Sequence, residues 1–160
     1  MVPSFWPFQC YIYRKGLLRF GSQKYDLTSL GNKFCHLTNS SVNKHSPNLN
    51  DDKDQIGTGC KWTLDQFFTL LRQDGHDTDA LWNRIKTVVL LTLLPLVGMV
   101  PCSSNCYEIF GFDVFLDSKL KPWLLEVNRS PAMATGTPQD IAVKTPMLND
   151  AFSVLGFEQV

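Results

Sequence analysis

Apolar and polar residues alternate in two stretches of the last third of the chain. The alternation covers residues 110–117 and again residues 123–128, and a period of two is typical of β-strands. Asp-Ser and Lys-Pro pairs separate the two stretches and favour a turn. The pattern therefore predicts two antiparallel strands joined as a hairpin.

The register of this hairpin decides which polar side chains meet. With Leu116 placed opposite Trp123, counting along both strands brings Asp113 opposite Glu126, and Asn128 lies further along the same face. Two carboxylates directly across a sheet are about 4.5–5.5 Å apart at Cβ and repel each other, which is destabilising unless positive charge lies between them. These polar residues therefore form a candidate site.

A divalent cation is the simplest positive charge for that site. Asp, Glu and Asn supply only oxygen ligands, which favour Mg²⁺ or Mn²⁺ over zinc. Mg²⁺ usually takes one or two carboxylates and completes its shell with water and phosphate oxygens, so the pattern indicates nucleotide chemistry. Phe115 and Leu124 share this face, which argues against a freely solvated surface. An exposed acidic edge without a metal is the alternative, and spacing alone leaves both open.

Capping and periodicity signals predict two helices in the middle of the chain. Thr63 and Gln66 form a capping box that opens a helix to about Gln73. A second helix runs from about Thr78 to near Pro95, and its many apolar residues predict that it is mostly buried. Both helices are expected to pack behind the sheet.

The two ends of the chain carry further elements. Residues 11–13 and 17–19, on either side of a Lys-Gly pair, predict a strand, a turn and a strand. Residues 140–155 predict a closing helix that Pro146 interrupts. Together these elements predict an α+β fold with an antiparallel sheet backed by helices.

Composition favours one globular domain without a strong overall field. Hydrophobic residues make up 44% of the 160 residues, enough for a sizeable core. The net charge is zero, so no global field steers a charged partner, and we expect no nucleic-acid partner. Residues 1–50 nevertheless hold six Lys or Arg and one acid, Asp26. Such a region can receive phosphates or an acidic peptide, or form a solvated basic surface.

Cysteine usage and hydropathy indicate the compartment. Five scattered cysteines without a preceding signal peptide fit a reduced cytosolic protein, and their spacing does not predict a zinc site. The apolar run over residues 88–100 is too short to span a bilayer. We therefore expect a cytoplasmic protein that makes no membrane contact.

Three motifs together resemble one known family. In chain order they are YIYRKGLLRF at residues 11–20, HLTNSSVNK at residues 36–44, and FGFD at residues 110–113 followed by KPWLLEVNRSP at residues 121–131. The chain resembles the tubulin tyrosine ligase-like enzymes, a branch of the ATP-grasp ligases, from about residue 11 to residue 150. The SSVNK and GCKWTL runs are most similar to the tubulin polyglutamylases of that family.

The resemblance implies a fold and a reaction. The fold would be the C-terminal part of an ATP-grasp domain over residues 11–155, with residues 1–10 as an unassigned leader and residues 156–160 as a tail. The reaction would use ATP and Mg²⁺ to activate a carboxylate as an acyl phosphate, which an amine attacks. For polyglutamylases the carboxylate belongs to a glutamate in an acidic tubulin tail, and the amine to free glutamate. A monomer on cytoplasmic microtubules, including those of cilia or flagella, would be expected.

The resemblance also implies roles for individual residues. It implies Mg²⁺ ligands at Asp113, Glu126 and Asn128, and nucleotide contacts at Thr38 and Asn39. It further implies that phosphates or carboxylates are bound by Arg14 and Lys44. Relatives have Glu-Gly where this chain has Lys-Gly after Arg14. That departure changes the charge of the turn. Without the resemblance, Thr38 and Asn39 are better explained by a local turn.

Two alternatives remain beside the ligase. The chain resembles only the later part of an ATP-grasp enzyme, whose site lies between two lobes. The first alternative is therefore a truncated and inactive family member that at most binds tubulin or nucleotide. An unrelated fold that binds Mg²⁺ is the second.

Overall fold

The structure, a computed structural model, describes residues 1–43, 45–46, 61–101 and 106–157, without the side chains of Ser40 and Ser41. Its contacts divide the chain into two compact units. The first unit comprises Met1–Arg14, Leu71–Ala134 and Pro146–Val160. The second comprises Lys15–Leu70 and Thr135–Thr145.

Helices and short strands follow one another along the chain. In order they are β1 (Ser4–Phe5), β2 (Phe8–Gln9), β3 (Leu17–Arg19), α1 (Lys33–His36), α2 (Ser40–Asn43), β4 (Lys61–Thr63), α3 (Leu64–Gln73), α4 (Thr78–Leu93) with a 3₁₀ turn at Leu94–Leu96, β5 (Gly111–Leu116), β6 (Pro122–Asn128) and α5 (Pro138–Val154). Within the described ranges the strands form three antiparallel pairs, β1 with β2, β3 with β4, and β5 with β6. This confirms the predicted mixture of helices and antiparallel sheet.

Strands β5 and β6 form the predicted hairpin with one irregularity. Asp113 lies opposite Glu126, as predicted, but Leu116 lies opposite Pro122 and not opposite Trp123. A β-bulge after Asp113 explains the difference, because one extra residue on β6 shifts the register of the outer pairs by one position. The site register is therefore right and the register beside the turn was predicted wrongly.

The side chain of Asp117 organises the turn of this hairpin. Its carboxylate accepts hydrogen bonds from the backbone N–H groups of Lys119 and Lys121 at 2.9 and 3.0 Å, and from the indole N–H of Trp123 at 3.0 Å. The Trp123 hydrogen bond, followed by that from Lys121, lowers the pKa of Asp117. Leu120 takes a left-handed conformation with φ of 56°. These contacts fix where β5 ends and β6 begins.

Helix α4 packs against β6 within the first unit. Asp77 caps it, because its carboxylate accepts from the N–H groups of Asp79 and Ala80 at 3.0 and 2.9 Å. The helix therefore begins and ends where the sequence predicts. The prediction that it is mostly buried is wrong for its second half: Leu81 is fully buried, but Leu91 is 62% exposed. The helix has apolar residues on several sides, while β6 packs against only one of them, so the other apolar residues stay exposed.

Strands β3 and β4 pair in the second unit, with Leu18 opposite the buried Trp62. The ring of Phe20 meets Trp62 edge to face at 5.1 Å between centroids. The predicted strand over residues 11–13 is not formed, so the prediction of a local strand, turn and strand is wrong. The reason is that β3 takes its partner from a distant part of the sequence.

Helix α3 begins with the predicted capping box. The backbone N–H of Thr63 donates to the Gln66 side chain at 2.8 Å, and the N–H of Gln66 donates to the Thr63 hydroxyl at 3.3 Å. After its last residue, Gly75 has a φ of 81°, the left-handed conformation expected where a helix ends.

Helix α5 holds a buried carboxylate in its first turn, within the second unit. The carboxylate of Asp140 accepts from Lys61 at 2.6 Å, from the Thr137 hydroxyl at 2.7 Å and from Lys144 at 3.0 Å. Pro146 lies inside the helix, so the predicted interruption is wrong. Proline removes one backbone hydrogen bond, and the helix continues past it to Val154. In the described ranges, no helix is long and apolar enough to cross a membrane.

Candidate functional site

The predicted carboxylate pair lies across the hairpin of the first unit. Asp113 and Glu126 are direct partners in the β5–β6 ladder, and both side chains are exposed. Cβ atoms of direct partners on one face are about 4.5–5.5 Å apart, close enough for two carboxylates to repel or to share one cation. The hairpin thus brings two acidic residues together from positions thirteen apart in sequence.

Asn128 extends this face by one step. Its side-chain N–H donates to Glu126 Oε1 at 3.0 Å. The same bond orients both groups: one carboxylate oxygen of Glu126 is engaged, and the amide oxygen of Asn128 keeps its acceptor capacity. Asp113, Glu126 and Asn128 form the site that we call the hairpin triad.

A glycine lies beneath the end of the hairpin triad. Gly111 is the ladder partner of Asn128. A Cβ built at Gly111 would lie 2.9 Å from the Cβ of Pro131 and 3.6 Å from that of Asn128. Pro131 therefore packs against β5 where only glycine leaves room, so the residue before Phe112 and the turn after Asn128 are in direct contact.

The donor set of the hairpin triad fits Mg²⁺. Two carboxylates and one amide oxygen are hard oxygen ligands, and Mg²⁺ takes one or two carboxylates while keeping water or phosphate oxygens in its remaining positions. Among the described residues, no cluster of three or more His, Cys, Asp and Glu side chains is placed to hold a metal ion. The triad's third ligand is an amide, so it belongs to a different type of site from such clusters.

Arg129, which follows the hairpin triad in sequence, forms an ion pair with Glu108. Its Nε lies 3.2 Å from Glu108 Oε1, and the Arg129 side chain is 83% exposed. Glu108 in turn bridges to Val2 through backbone hydrogen bonds at 2.8 and 3.0 Å. The ion pair connects the chain after β6 with the segment before β5.

Arg14 lies in the first unit, on irregular backbone and not on a strand. It lines an open groove together with residues of α4, among them Lys86. Lys44, the other residue predicted to meet phosphates or carboxylates, lies outside the described residues.

Thr38 and Asn39, predicted at the nucleotide, are exposed neighbours between α1 and α2 in the second unit. The backbone carbonyl of Asn39 accepts from Val42 and Asn43 at 3.0 and 2.9 Å, so Asn39 opens α2. These main-chain hydrogen bonds begin the helix, and both side chains are exposed.

Asn43 was not singled out from the sequence, although it organises this segment. Its side chain is 1% exposed and donates to the carbonyls of Leu37 and Asn39 at 2.8 and 3.2 Å, while accepting from the N–H of Ser22 at 2.9 Å. A fully bonded buried amide fixes the loop that carries Thr38. Its place inside the HLTNSSVNK motif was the one available signal.

Comparison with known proteins places the chain within a family. The sequence model of the tubulin-tyrosine ligase family matches residues 1–160. The chain belongs to this family. The resemblance that the three motifs carry is thereby confirmed, and an unrelated fold is excluded.

Relatives within the family include glutamylating enzymes. The probable tubulin polyglutamylase TTLL2 of Homo sapiens is 45% identical over 96% of this chain, the tubulin monoglutamylase TTLL4 of Homo sapiens 41% over 98%, and the tubulin polyglutamylase TTLL5 of Homo sapiens 40% over 98%. The chain spans 26%, 14% and 13% of the lengths of these relatives, respectively.

Proposed function

We propose that the protein takes part in tubulin glutamylation as an ATP- and Mg²⁺-dependent ligase with an ATP-grasp-like fold. The observation that carries the proposal is the hairpin triad, which pairs Asp113 with Glu126 inside a chain that the tubulin-tyrosine ligase family model matches from end to end. Relatives described as tubulin polyglutamylases and a monoglutamylase support the substrate class.

The proposed reaction has two steps, a phosphoryl transfer and an attack by an amine. First, the γ-phosphoryl group of ATP passes to the side-chain carboxylate of a tubulin-tail glutamate, giving an acyl phosphate and ADP. Second, the amine of free glutamate attacks the acyl carbon, the C–N bond forms, inorganic phosphate leaves and the amine gives up a proton. Positioning and electrostatic stabilisation carry most of such phosphoryl transfer.

The chain's own residues supply those two effects. Asp113, Glu126 and Asn128 would hold Mg²⁺, which when bound offsets the negative charge of the nucleotide phosphates. The hydrogen bond from Asn128 to Glu126 presets the geometry of that ligand pair. Arg14 is assigned to a phosphate or carboxylate through charge-assisted hydrogen bonds. Thr38, Asn39 and Lys44 are assigned to the nucleotide or its phosphates by their motif.

Neutral substitution of the carboxylate pair tests the ligase. We expect Asp113→Asn and Glu126→Gln each to reduce incorporation of labelled glutamate into tubulin by at least about 100-fold, because the phosphoryl charge is no longer offset. Asp150→Asn removes an exposed carboxylate elsewhere in the same unit and should retain parental incorporation. Parental rates in both site variants would refute the assignment.

A second candidate is a family member that binds nucleotide or tubulin without ligating. The exposure of both triad carboxylates favours it, because surrounding water weakens the electrostatic stabilisation that a bound cation could give to phosphoryl transfer. Calorimetry distinguishes the two. Mg²⁺-dependent ATP binding that is lost in the Asp113→Ala, Glu126→Ala double variant, without glutamate incorporation by the parent, would establish this candidate and exclude the ligase.

The proposed substrate also implies a location. A protein that modifies tubulin tails would work in the cytoplasm on microtubules, including those of cilia or flagella. Co-sedimentation with microtubules, compared before and after removal of the acidic tails by subtilisin, tests this. Equal sedimentation with both would contradict recognition of the tails.

A further inference from the structure

An open groove runs along the first half of α4 in the first unit. It has a volume of about 410 Å³ and is lined by Ile12, Arg14, Asp79, Trp82, Asn83 and Lys86. Asp79, Asn83 and Lys86 are spaced four and three residues apart, so they follow one face of the helix over two turns, about 10 Å. Ile12 and Arg14 line the groove from a segment outside the helix.

Two cations in this groove have no anionic partner among the described residues. In that part of the chain the ion pairs involve Lys61, Lys144 and Arg129, and neither Arg14 nor Lys86 takes part in one. Asp79 is the carboxylate that lines the groove, and it lies in the first turn of α4, where the positive end of the helix dipole already compensates an acidic group. The groove therefore presents net positive charge to a ligand.

Its other residues suit a side chain that ends in a carboxylate. Arg14 offers a planar fork of N–H donors that matches a carboxylate, and Lys86 offers a compact charge. Asn83 adds an amide donor between the charges. Ile12, which is exposed, supplies apolar surface for methylene groups beside the largely buried ring of Trp82.

We propose that this groove binds glutamate side chains of an acidic peptide, with Arg14 and Lys86 each meeting a carboxylate. The identity of that peptide as a tubulin tail rests on the proposed function above. The charge pattern of the groove is independent of the hairpin triad. It assigns a binding role to Lys86 and Asn83 and an opposing one to Asp79.

Removing charges of opposite sign from one groove gives a sharp test. The probe is a fluorescein-labelled poly-glutamate peptide, and its anisotropy is titrated with the full chain in the absence of ATP and Mg²⁺. We expect Lys86→Gln to weaken binding about fivefold and Asp79→Asn to strengthen it about two- to threefold, as for single partly exposed ion pairs. Lys119→Gln, which makes the same charge change in the exposed hairpin turn, should bind like the parent.

Three outcomes would contradict peptide binding at this groove. They are no binding of the peptide to the parent, equal weakening of binding by Lys86→Gln and Lys119→Gln, and weaker binding by Asp79→Asn. Far-UV circular dichroism confirms that each variant keeps its helices.

The same assay separates this inference from the proposed ligase. If peptide binding depends on Lys86 and Asp79 but no glutamate is incorporated, the groove stands and the ligase fails. If glutamate is incorporated but peptide binding ignores both charges, the ligase stands and the groove fails.

Discussion

At the scale of single residues, the close contact of Gly111 with Pro131 is the sharpest constraint on the site. A Cβ at position 111 would lie 2.9 Å from the Pro131 Cβ, closer than packed carbons allow. We expect Gly111→Ala to destabilise the chain by about 1–3 kcal/mol, the usual cost of overpacking. Urea unfolding followed by tryptophan fluorescence measures this change.

Gly136→Ala is the matched control for that substitution. Nothing lies within 4 Å of a Cβ built at Gly136, and its φ is not in the left-handed region. The control should therefore be neutral or stabilise by about 0.4–1 kcal/mol, because alanine lowers the entropy of the unfolded chain. A Gly111→Ala variant as stable as this control would show that Pro131 moves freely.

The sequence predicted the hairpin triad but not the packing beneath it. Alternation gives the parity of a strand, so the order of residues is enough to place Asp113 and Glu126 on one face. The contact of Gly111 with Pro131 depends on how the chain turns after β6, which periodicity does not encode. Asn43 was missed for a similar reason, since its hydrogen bonds depend on the path of the surrounding loop.

At the scale of elements, helix α3 depends on its capping box. Thr63→Ala removes the hydroxyl that accepts from the N–H of Gln66 at 3.3 Å, so we expect a loss of about 1 kcal/mol in the free energy of unfolding. Thr69→Ala in the same helix is the control. Its hydroxyl bonds back to the carbonyl of Asp65, and alanine has the higher helix propensity, so stability should stay within about 0.5 kcal/mol. Equal effects of both substitutions, measured by far-UV circular dichroism in urea, would refute the capping role.

Elements with local signals were predicted well, and elements that depend on distant partners were not. Capping residues lie next to the helices they start, so α3 and α4 began where expected. The alternation at residues 11–13 has the period of a strand, but β3 pairs with β4 and leaves that segment irregular. The bulge after Asp113 adds one residue without a compositional signal, so the predicted register beside the turn was wrong.

At the scale of the whole molecule, the buried Asp140 gives folding a dependence on pH. Its side chain is 6% exposed; burial raises its pKa, but hydrogen bonds from Lys61, Thr137 and Lys144 outweigh burial and lower the pKa well below the usual range. Below about pH 3.9 the unfolded chain takes up the proton first, so stability from Asp140 is present above that pH and is lost as pH falls through the lowered value.

We expect Asp140→Asn to cost about 3 kcal/mol near neutral pH, because it leaves both lysines without their carboxylate. The difference from the parent should shrink as the solution is acidified. Asp150→Asn, an exposed change in the same helix, should stay within about 0.5 kcal/mol. A difference between parent and Asp140→Asn that is constant from neutral to acidic pH in urea unfolding would show that the carboxylate's charge does not stabilise the fold.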